Sequence, residues 1–167
     1  MIIYAHWYLR QRAEDLVKKF GFRNPPVDLY NVACSLGIEI IELSLPTWFF
    51  GALLNIKGDY YIVLNKLMPQ SRKNFTIAHE IAHHQLHGGE ICSMKNSKRD
   101  YFHREADIFA AELCMPSFMV IREARNWGND YKFLAHLFGV SEIAMLRKLQ
   151  ELRLIPAENY AWSCVKK

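Results

Sequence analysis

The amino-acid sequence predicts an α+β fold in which a small, mostly antiparallel sheet of three strands packs against several helices. Segments with strand-like composition are confined to residues 38–65, and apolar residues at helical spacing recur before and after that stretch. Strands grouped in one part of a chain, with helices on either side, are typical of α+β folds rather than of alternating α/β folds.

Two helices are predicted ahead of the sheet. Residues 11–20 form an amphipathic helical pattern that ends at Gly21. Asp28 is a candidate N-cap for a second helix, which Gly37 would end.

Three strands are predicted at residues 38–43, 49–56 and 60–65. Lys57-Gly58-Asp59 joins the last two as a hairpin turn. The third strand is either an interior strand or an edge to which an extended peptide could pair, and the sequence leaves both interpretations open.

Several helices are predicted after the sheet. Residues 74–87 contain neither Pro nor Gly, and a helical apolar pattern around residues 103–113 ends near Pro116. The polar residues 88–101 between them are predicted to form a loop. Three further helices are expected at residues 117–124, 131–138 and 141–152.

The segment with the clearest chemical meaning is His79-Glu80-Ile81-Ala82-His83. In a helix, two imidazoles four residues apart lie on one face, where both can bind one metal ion. Glu80 lies beside that face, in a position to act as general base towards a metal-activated water. The pattern predicts His79 and His83 as metal ligands, and the competing interpretation is a coincidental match on an amphipathic helix.

A catalytic zinc usually takes three protein ligands, so a third is expected on another element. Glu105 is the best candidate, at the margin of the apolar face of the second helix, while Asp107 and Glu112 remain alternatives on spacing alone. A Cys114 thiolate is also possible, although a small buried side chain is the more common role of a free cysteine.

These residues resemble the ImmA/IrrE family of zincin-like metallopeptidases, along most of the chain. The first family motif, R-x-x-F-T-x-A-H-E-x-x-H, is matched by Arg72, Phe75, Thr76, Ala78, His79, Glu80 and His83. The second, E-A-(N/D)-x-F-A-A-x-L-x-M-P, is matched by Glu105, Ala106, Asp107, Phe109, Ala110, Ala111, Leu113, Met115 and Pro116. Two other positions depart from what is usual in the family: Cys114 stands where a second Leu is more usual, and His103 stands where a Glu is common.

The resemblance implies a zincin-like fold with the HExxH motif on a core helix, with His79, His83 and Glu105 as metal ligands and Glu80 as base. It implies a Zn²⁺-dependent endopeptidase, although Mn²⁺ and Fe²⁺ suit the same ligand types. The implied substrate is a helix-turn-helix (XRE-type) transcriptional repressor, whose cleavage would derepress mobile-element or stress genes. The alternative from another class is a regulatory module that binds a repressor or DNA without cleaving.

Residues 130–155 resemble a helix-turn-helix pair. Glu142, Ile143, Ala144 and Met145, at the start of its second helix, are poorly suited to base edges or phosphates. We therefore expect this pair to pack on the catalytic core, within one domain that spans residues 1–167, and direct DNA binding is disfavoured.

Composition agrees with such a domain. A net charge of +4 is too small to indicate nucleic-acid binding without a localised patch. Four scattered cysteines without a C-x-x-C pair, and the lack of a secretory or membrane-spanning pattern, predict a cytoplasmic protein that is not bound to a membrane. The oligomeric state cannot be read from the sequence.

The remaining polar residues near the motif are assigned supporting roles. His103 and Tyr101 are candidates to stabilise an oxyanion, and His87 lies one turn beyond His83. Asp107 or Asn65 is a candidate to orient a metal-bound histidine through its second ring nitrogen.

Overall fold

A computed structural model describes residues 5–88 and 97–156. In these two ranges it has seven helices and three strands, and the predicted α+β fold is confirmed. In chain order the elements are α1 (His6–Lys19), α2 (Leu29–Ser35), β1 (Ile38–Leu43), β2 (Gly51–Ile56), β3 (Asp59–Asn65), α3 (Gln70–His87), α4 (Ser97–Cys114), α5 (Ser117–Asn126), α6 (Tyr131–Phe138) and α7 (Glu142–Glu151).

The sheet is mixed, with strand order β1-β3-β2. β2 and β3 form the predicted antiparallel hairpin, whose turn has positive φ angles at Lys57 and Gly58, as a two-residue type I′ turn requires. β1 pairs with β3 in parallel, so one of the two ladders is parallel. The third strand is therefore the interior one, and β2 forms an edge of the sheet.

The motif helix α3 lies in the core, packed against α4. Ala78 and Ala82 on α3 and Ala106 and Ala110 on α4 are all fully buried. Small side chains let two helices approach closely, and this contact brings the polar groups of α3 and α4 together. Isoleucines on α3 and larger side chains on α4 complete the packing, among them Ile77, Ile81, Phe109 and Leu113.

The C-terminal helix pair packs on the same core. Asp130 and Ser141 cap the two helices through side-chain oxygens that accept backbone N–H bonds. Met145 and Leu149 of α7 are fully buried, and the Lys148 ammonium lies 2.5 Å from the Glu112 carboxylate of α4. The pair is thus held to the core by buried apolar side chains and to α4 by a buried ion pair.

Two helix starts differ from the sequence prediction. α1 begins at His6 rather than at residue 11, and α4 begins at Ser97 rather than near residue 103. Of the loop predicted at residues 88–101, residues 89–96 lie outside the described ranges, and the rest from Ser97 is helical. The predicted start was late because residues 97–100 (SKRD) carry no apolar pattern from which a helix could be recognised.

Asp28 caps α2 as predicted, accepting a bond from the Asn31 N–H, and Gly88 ends α3 in the left-handed conformation. Within the described ranges, no helix combines the length and apolar character needed to cross a lipid bilayer.

Candidate metal centre

Three imidazole nitrogens surround one point between α3 and α4. Nε2 of His79 lies 3.0 Å from Nε2 of His83 and 3.1 Å from Nδ1 of His103, and the remaining side of this triangle is 3.2 Å. His83 is buried, and the other two are partly exposed. Among the described residues, these three form a group that could hold a metal ion.

The size of the triangle suits a metal ion. Zinc binds imidazole nitrogen at about 2.0–2.1 Å in tetrahedral geometry, which separates two bound nitrogens by about 3.3 Å. Three nitrogens 3.0–3.2 Å apart could therefore bind one ion together. A catalytic zinc with three protein ligands keeps a fourth position for water or substrate.

The second ring nitrogens of the two motif histidines have partners of their own. Nδ1 of His79 lies 2.9 Å from Oδ1 of Asp107, and Nδ1 of His83 lies 3.0 Å from Nδ1 of His87. If each Nδ1 carries the proton, each Nε2 presents only a lone pair to the centre of the triangle. Lone pairs that converge in this way repel one another unless a cation lies between them, so the arrangement fits a metal.

The surroundings of His83 and His87 favour their neutral forms. Burial, together with the neighbouring imidazoles of His79, His87 and His103, lowers the pKa of His83 to about 2. Burial also lowers the pKa of His87, although the Glu105 carboxylate acts in the opposite direction. A neutral imidazole is the form that binds a metal.

The three carboxylates considered as third ligand all lie elsewhere. Oε2 of Glu105 is 3.0 Å from Nε2 of His87, Asp107 contacts His79, and Glu112 accepts from the Ser117 N–H and pairs with Lys148. The structure therefore brings His103, rather than Glu105, to the two motif histidines. Position 105 lies about 200° around the helix from position 103, so the two side chains cannot share a face.

A signal for His103 was present in the sequence. His103 and Asp107 are four residues apart and lie on one face of α4, so a ligand and a carboxylate that orients another ligand occur at helical spacing. We expected Glu105 to be the third ligand because the second family motif begins at that residue. His103 was instead a position at which the chain departs from the usual family sequence.

Glu80, the predicted general base, lies between α3 and the edge strand β2. Its Oε2 accepts a 2.9 Å hydrogen bond from the Leu53 N–H, and its side chain is mostly buried. Burial raises the pKa of Glu80, while the electrostatic influence of the neighbouring His79 and the Leu53 hydrogen bond act to lower it. A carboxylate with a raised pKa is a better proton acceptor near neutral pH.

Gly51 allows β2 to lie close to α3. A Cβ atom at Gly51 would lie 2.6 Å from Cγ2 of Thr76 and 3.1 Å from the Val63 carbonyl oxygen, so any larger residue would displace the strand. The close approach keeps Leu53, two residues further along β2, within reach of Glu80.

Cys114 and Asn65 were also candidates for roles at the metal centre, and their contacts indicate other roles. Cys114 is buried, its thiol pKa is raised to about 12 by burial, and its Sγ lies near the Asn74 carbonyl oxygen, so a small buried side chain describes it best. Asn65 binds the segment that joins β1 to β2, with Nδ2 donating to the carbonyl oxygens of Leu45, Pro46 and Phe49. Asp107, and not Asn65, contacts a motif histidine.

The chain is similar in sequence and in fold to known proteins. The chain is 29% identical over 150 residues to a Bacillus phage phi105 protein described as "Uncharacterized immunity region protein 2". The aligned region covers 87% of this chain and 92% of that protein. The fold matches a structure described as a Mycobacterium tuberculosis transcriptional regulator with a TM-score of 0.67 at 18% identity. That match covers 88% of this chain and 48% of the other, so this chain spans about half of that regulator's length.

A family profile matches residues 33–150, which include both family motifs and the three histidines. The profile is that of the IrrE N-terminal-like domain, and its extent covers well over half of the sequence. The chain therefore belongs to the Peptidase_M78 family of IrrE N-terminal-like domains.

Proposed function

We propose that this protein is a metal-dependent endopeptidase with Zn²⁺ as its ion. The observation that carries the proposal is the triangle of ring nitrogens from His79, His83 and His103, with sides of 3.0–3.2 Å. We assign these three as the ligands, so that His103 takes the place expected for Glu105. Membership of a peptidase family and a neighbouring buried carboxylate support the same chemistry.

The roles of the protein groups follow from their positions. A bound Zn²⁺ would polarise the scissile carbonyl and lower the pKa of a water molecule. Glu80 accepts the proton of the attacking water and returns it to the leaving amine. Asp107 and His87 contact Nδ1 of His79 and of His83, and so hold the two rings in an orientation in which both Nε2 atoms could bind the ion.

The edge strand beside Glu80 offers a way to align a peptide. In the antiparallel ladder, Phe50 accepts a backbone bond from Asn65, so the alternate residues Gly51, Leu53 and Asn55 direct their backbone groups away from β3. The Leu53 N–H already donates to Glu80, so an extended substrate that pairs with the backbone groups of Gly51 and Asn55 and with the Leu53 carbonyl would pass next to Glu80. Pairing with a sheet edge is a common mode of peptide recognition.

We further propose that the substrate is a helix-turn-helix transcriptional repressor and that the protein acts in the cytoplasm. Support comes from the similar phage protein, which is described as belonging to an immunity region, and from the structural match to a transcriptional regulator. Cleavage of a repressor would release the genes that it silences.

The decisive experiment compares the wild-type protein with Glu80→Gln on helix-turn-helix repressors from the organism that encodes it. We expect one zinc per chain in both proteins, cleavage by the wild type, and loss of about 100-fold or more in Glu80→Gln, since the base is removed while the ligands stay. Glu39→Gln is the matched control, because Glu39 is exposed on β1. A repressor that stays intact with fully zinc-loaded wild type contradicts the proposal.

The alternative is a regulatory module that binds a repressor or DNA without cleaving. It predicts that Glu80→Gln derepresses the target genes in cells as well as the wild type does. The peptidase proposal predicts that Glu80→Gln fails in the same assay, although it still binds the repressor.

A further inference from the structure

A second feature of the molecule lies beside the metal centre. A cleft of about 780 Å³ opens between the start of α3, the segment joining β1 to β2, and the start of α7. Its size falls in the range typical of ligand sites. Neither the proposed chemistry nor the packing of the core uses it.

The cleft lies at the centre of an exposed apolar surface. Phe50, Leu67 and Ile143 line it and are 44%, 64% and 64% exposed. Trp48, next to the lining residue Thr47, is 76% exposed. Several large apolar side chains exposed together mark an interaction site more often than a plain surface.

The charged residues that line the cleft are all basic. Arg72 and Arg147 line the cleft, and none of the lining residues is acidic. The Arg72 guanidinium lies over the Phe50 ring at 4.6 Å. Within residues 5–88 and 97–156, no carboxylate forms an ion pair with either arginine, so both are available to carboxylates of a partner.

The cleft is adjacent to the metal centre through Phe75. Phe75 lines the cleft one helical turn before His79, and the two rings lie 6.3 Å apart between centroids. That distance corresponds to about two residues of extended chain. A polypeptide anchored in the cleft therefore reaches the metal site within a few residues.

We propose that this cleft is the docking site for the protein substrate, and that it selects a segment whose large apolar side chains are flanked by carboxylates. This inference rests on the proposed function, because it treats the metal centre as the place where the docked chain is cut. The apolar lining accepts the large side chains, and Arg72 and Arg147 pair with the carboxylates. DNA fits the cleft less well, because phosphates would leave the apolar lining uncovered.

The test uses the full-length Glu80→Gln protein and end-blocked, fluorescein-labelled peptides of twelve residues, with binding followed by anisotropy. One peptide carries leucine and phenylalanine between glutamates, a second has lysines in place of the glutamates, and a third has serines in place of the apolar residues. A labelled 20-base-pair DNA duplex is the fourth probe. We expect the first peptide to bind at least about tenfold more tightly than the other three probes, and less tightly in high salt.

Substitutions of residues that line the cleft test whether the preference for the first peptide depends on the cleft. Arg72→Glu and Arg147→Glu should each weaken the first peptide about tenfold, Arg72→Lys should weaken it less, and Ile143→Asp should weaken it by repelling the carboxylates. Arg125→Glu is the matched control, since Arg125 is exposed on α5 and does not line the cleft. Circular dichroism establishes that each variant is folded.

The proposal is overturned if the acidic apolar peptide does not bind up to millimolar concentration, if the lysine peptide or the DNA binds as well, or if both charge reversals bind like wild type. These outcomes are separate from the proposed function, because anisotropy needs neither cleavage nor metal. Conversely, failure to cut any repressor together with the expected peptide preference would contradict the proposed peptidase activity. The proposed docking site would still be supported.

Discussion

Nδ1 of His83 lies 3.0 Å from Nδ1 of His87. The far nitrogen of His87, Nε2, is 3.0 Å from Oε2 of Glu105, and both of these side chains are almost fully buried. If His87 donates its Nε2 proton to the carboxylate, its Nδ1 becomes an acceptor for the Nδ1 proton of His83. The pair thereby selects the tautomer in which Nε2 of His83 has a free lone pair towards the metal.

His103→Ala should abolish stable zinc binding. With only two imidazoles left, we expect affinity to fall by more than about 100-fold, beyond the range that loss of an orienting partner produces. Zinc affinity measured by competition with a fluorescent chelator tests this, with His136→Ala, exposed on α6, as the control. Retention of wild-type affinity in His103→Ala would remove His103 from the ligand set.

Glu105→Gln should retain one zinc per chain with weaker affinity. The amide oxygen is a weaker acceptor for the His87 Nε2 proton than the carboxylate, and loss of such an outer partner typically costs about 10- to 100-fold in metal affinity. Elemental analysis gives the stoichiometry and chelator competition gives the affinity. Complete loss of zinc in Glu105→Gln, with normal binding in His103→Ala, would instead support Glu105 as the third ligand.

The local pattern of the sequence was sufficient for the elements of the fold. Helical spacing, the Asp28 cap and the Lys57-Gly58-Asp59 turn are local features, and each has the predicted role. The parallel pairing of β1 with β3 was not predicted, because it depends on which side of the sheet the chain crosses between β1 and β2. Such a crossing leaves no local sequence signal.

The site was predictable to the extent that it lies on one helix. His79 and His83 converge because their spacing is fixed by the turn of α3. Which residue of α4 meets them depends on the rotation of α4 against α3, and buried alanines such as Ala78 and Ala106 at that contact set the rotation. Helical spacing alone could not choose between position 103 and position 105.

Lys148→Met should destabilise the protein strongly. It leaves the Glu112 carboxylate buried beside the Ser117 N–H without its cation, and breaking a buried ion pair from one side costs about 3–5 kcal/mol. Adding Glu112→Gln should recover part of the loss, because the amide oxygen still accepts from Ser117. Urea unfolding measures both variants, with Lys132→Met, exposed on α6, as the control. Equal stabilities of Lys148→Met and wild type would show that this pair does not hold α7.

The metal-free protein should lose stability as the pH falls below 6.5. The pKa of His83 is lowered to about 2 in the folded protein, while the same imidazole takes up a proton near pH 6.5 when unfolded. Below pH 6.5 the unfolded state therefore binds more protons, and the free energy of unfolding declines by up to about 1.4 kcal/mol per pH unit from this group. Above pH 6.5 both states are neutral and the effect vanishes.

Urea unfolding of metal-free protein between pH 5.0 and 7.5 measures this slope, and His83→Gln should reduce it because the titrating group is removed. His136→Gln should keep the wild-type slope. The same protonation competes with zinc, so wild-type zinc affinity should weaken over the pH interval in which stability is lost. Identical slopes in wild type and His83→Gln would mean that His83 is not held neutral in the folded protein, and the tautomer selected by His87 and Glu105 would lose its support.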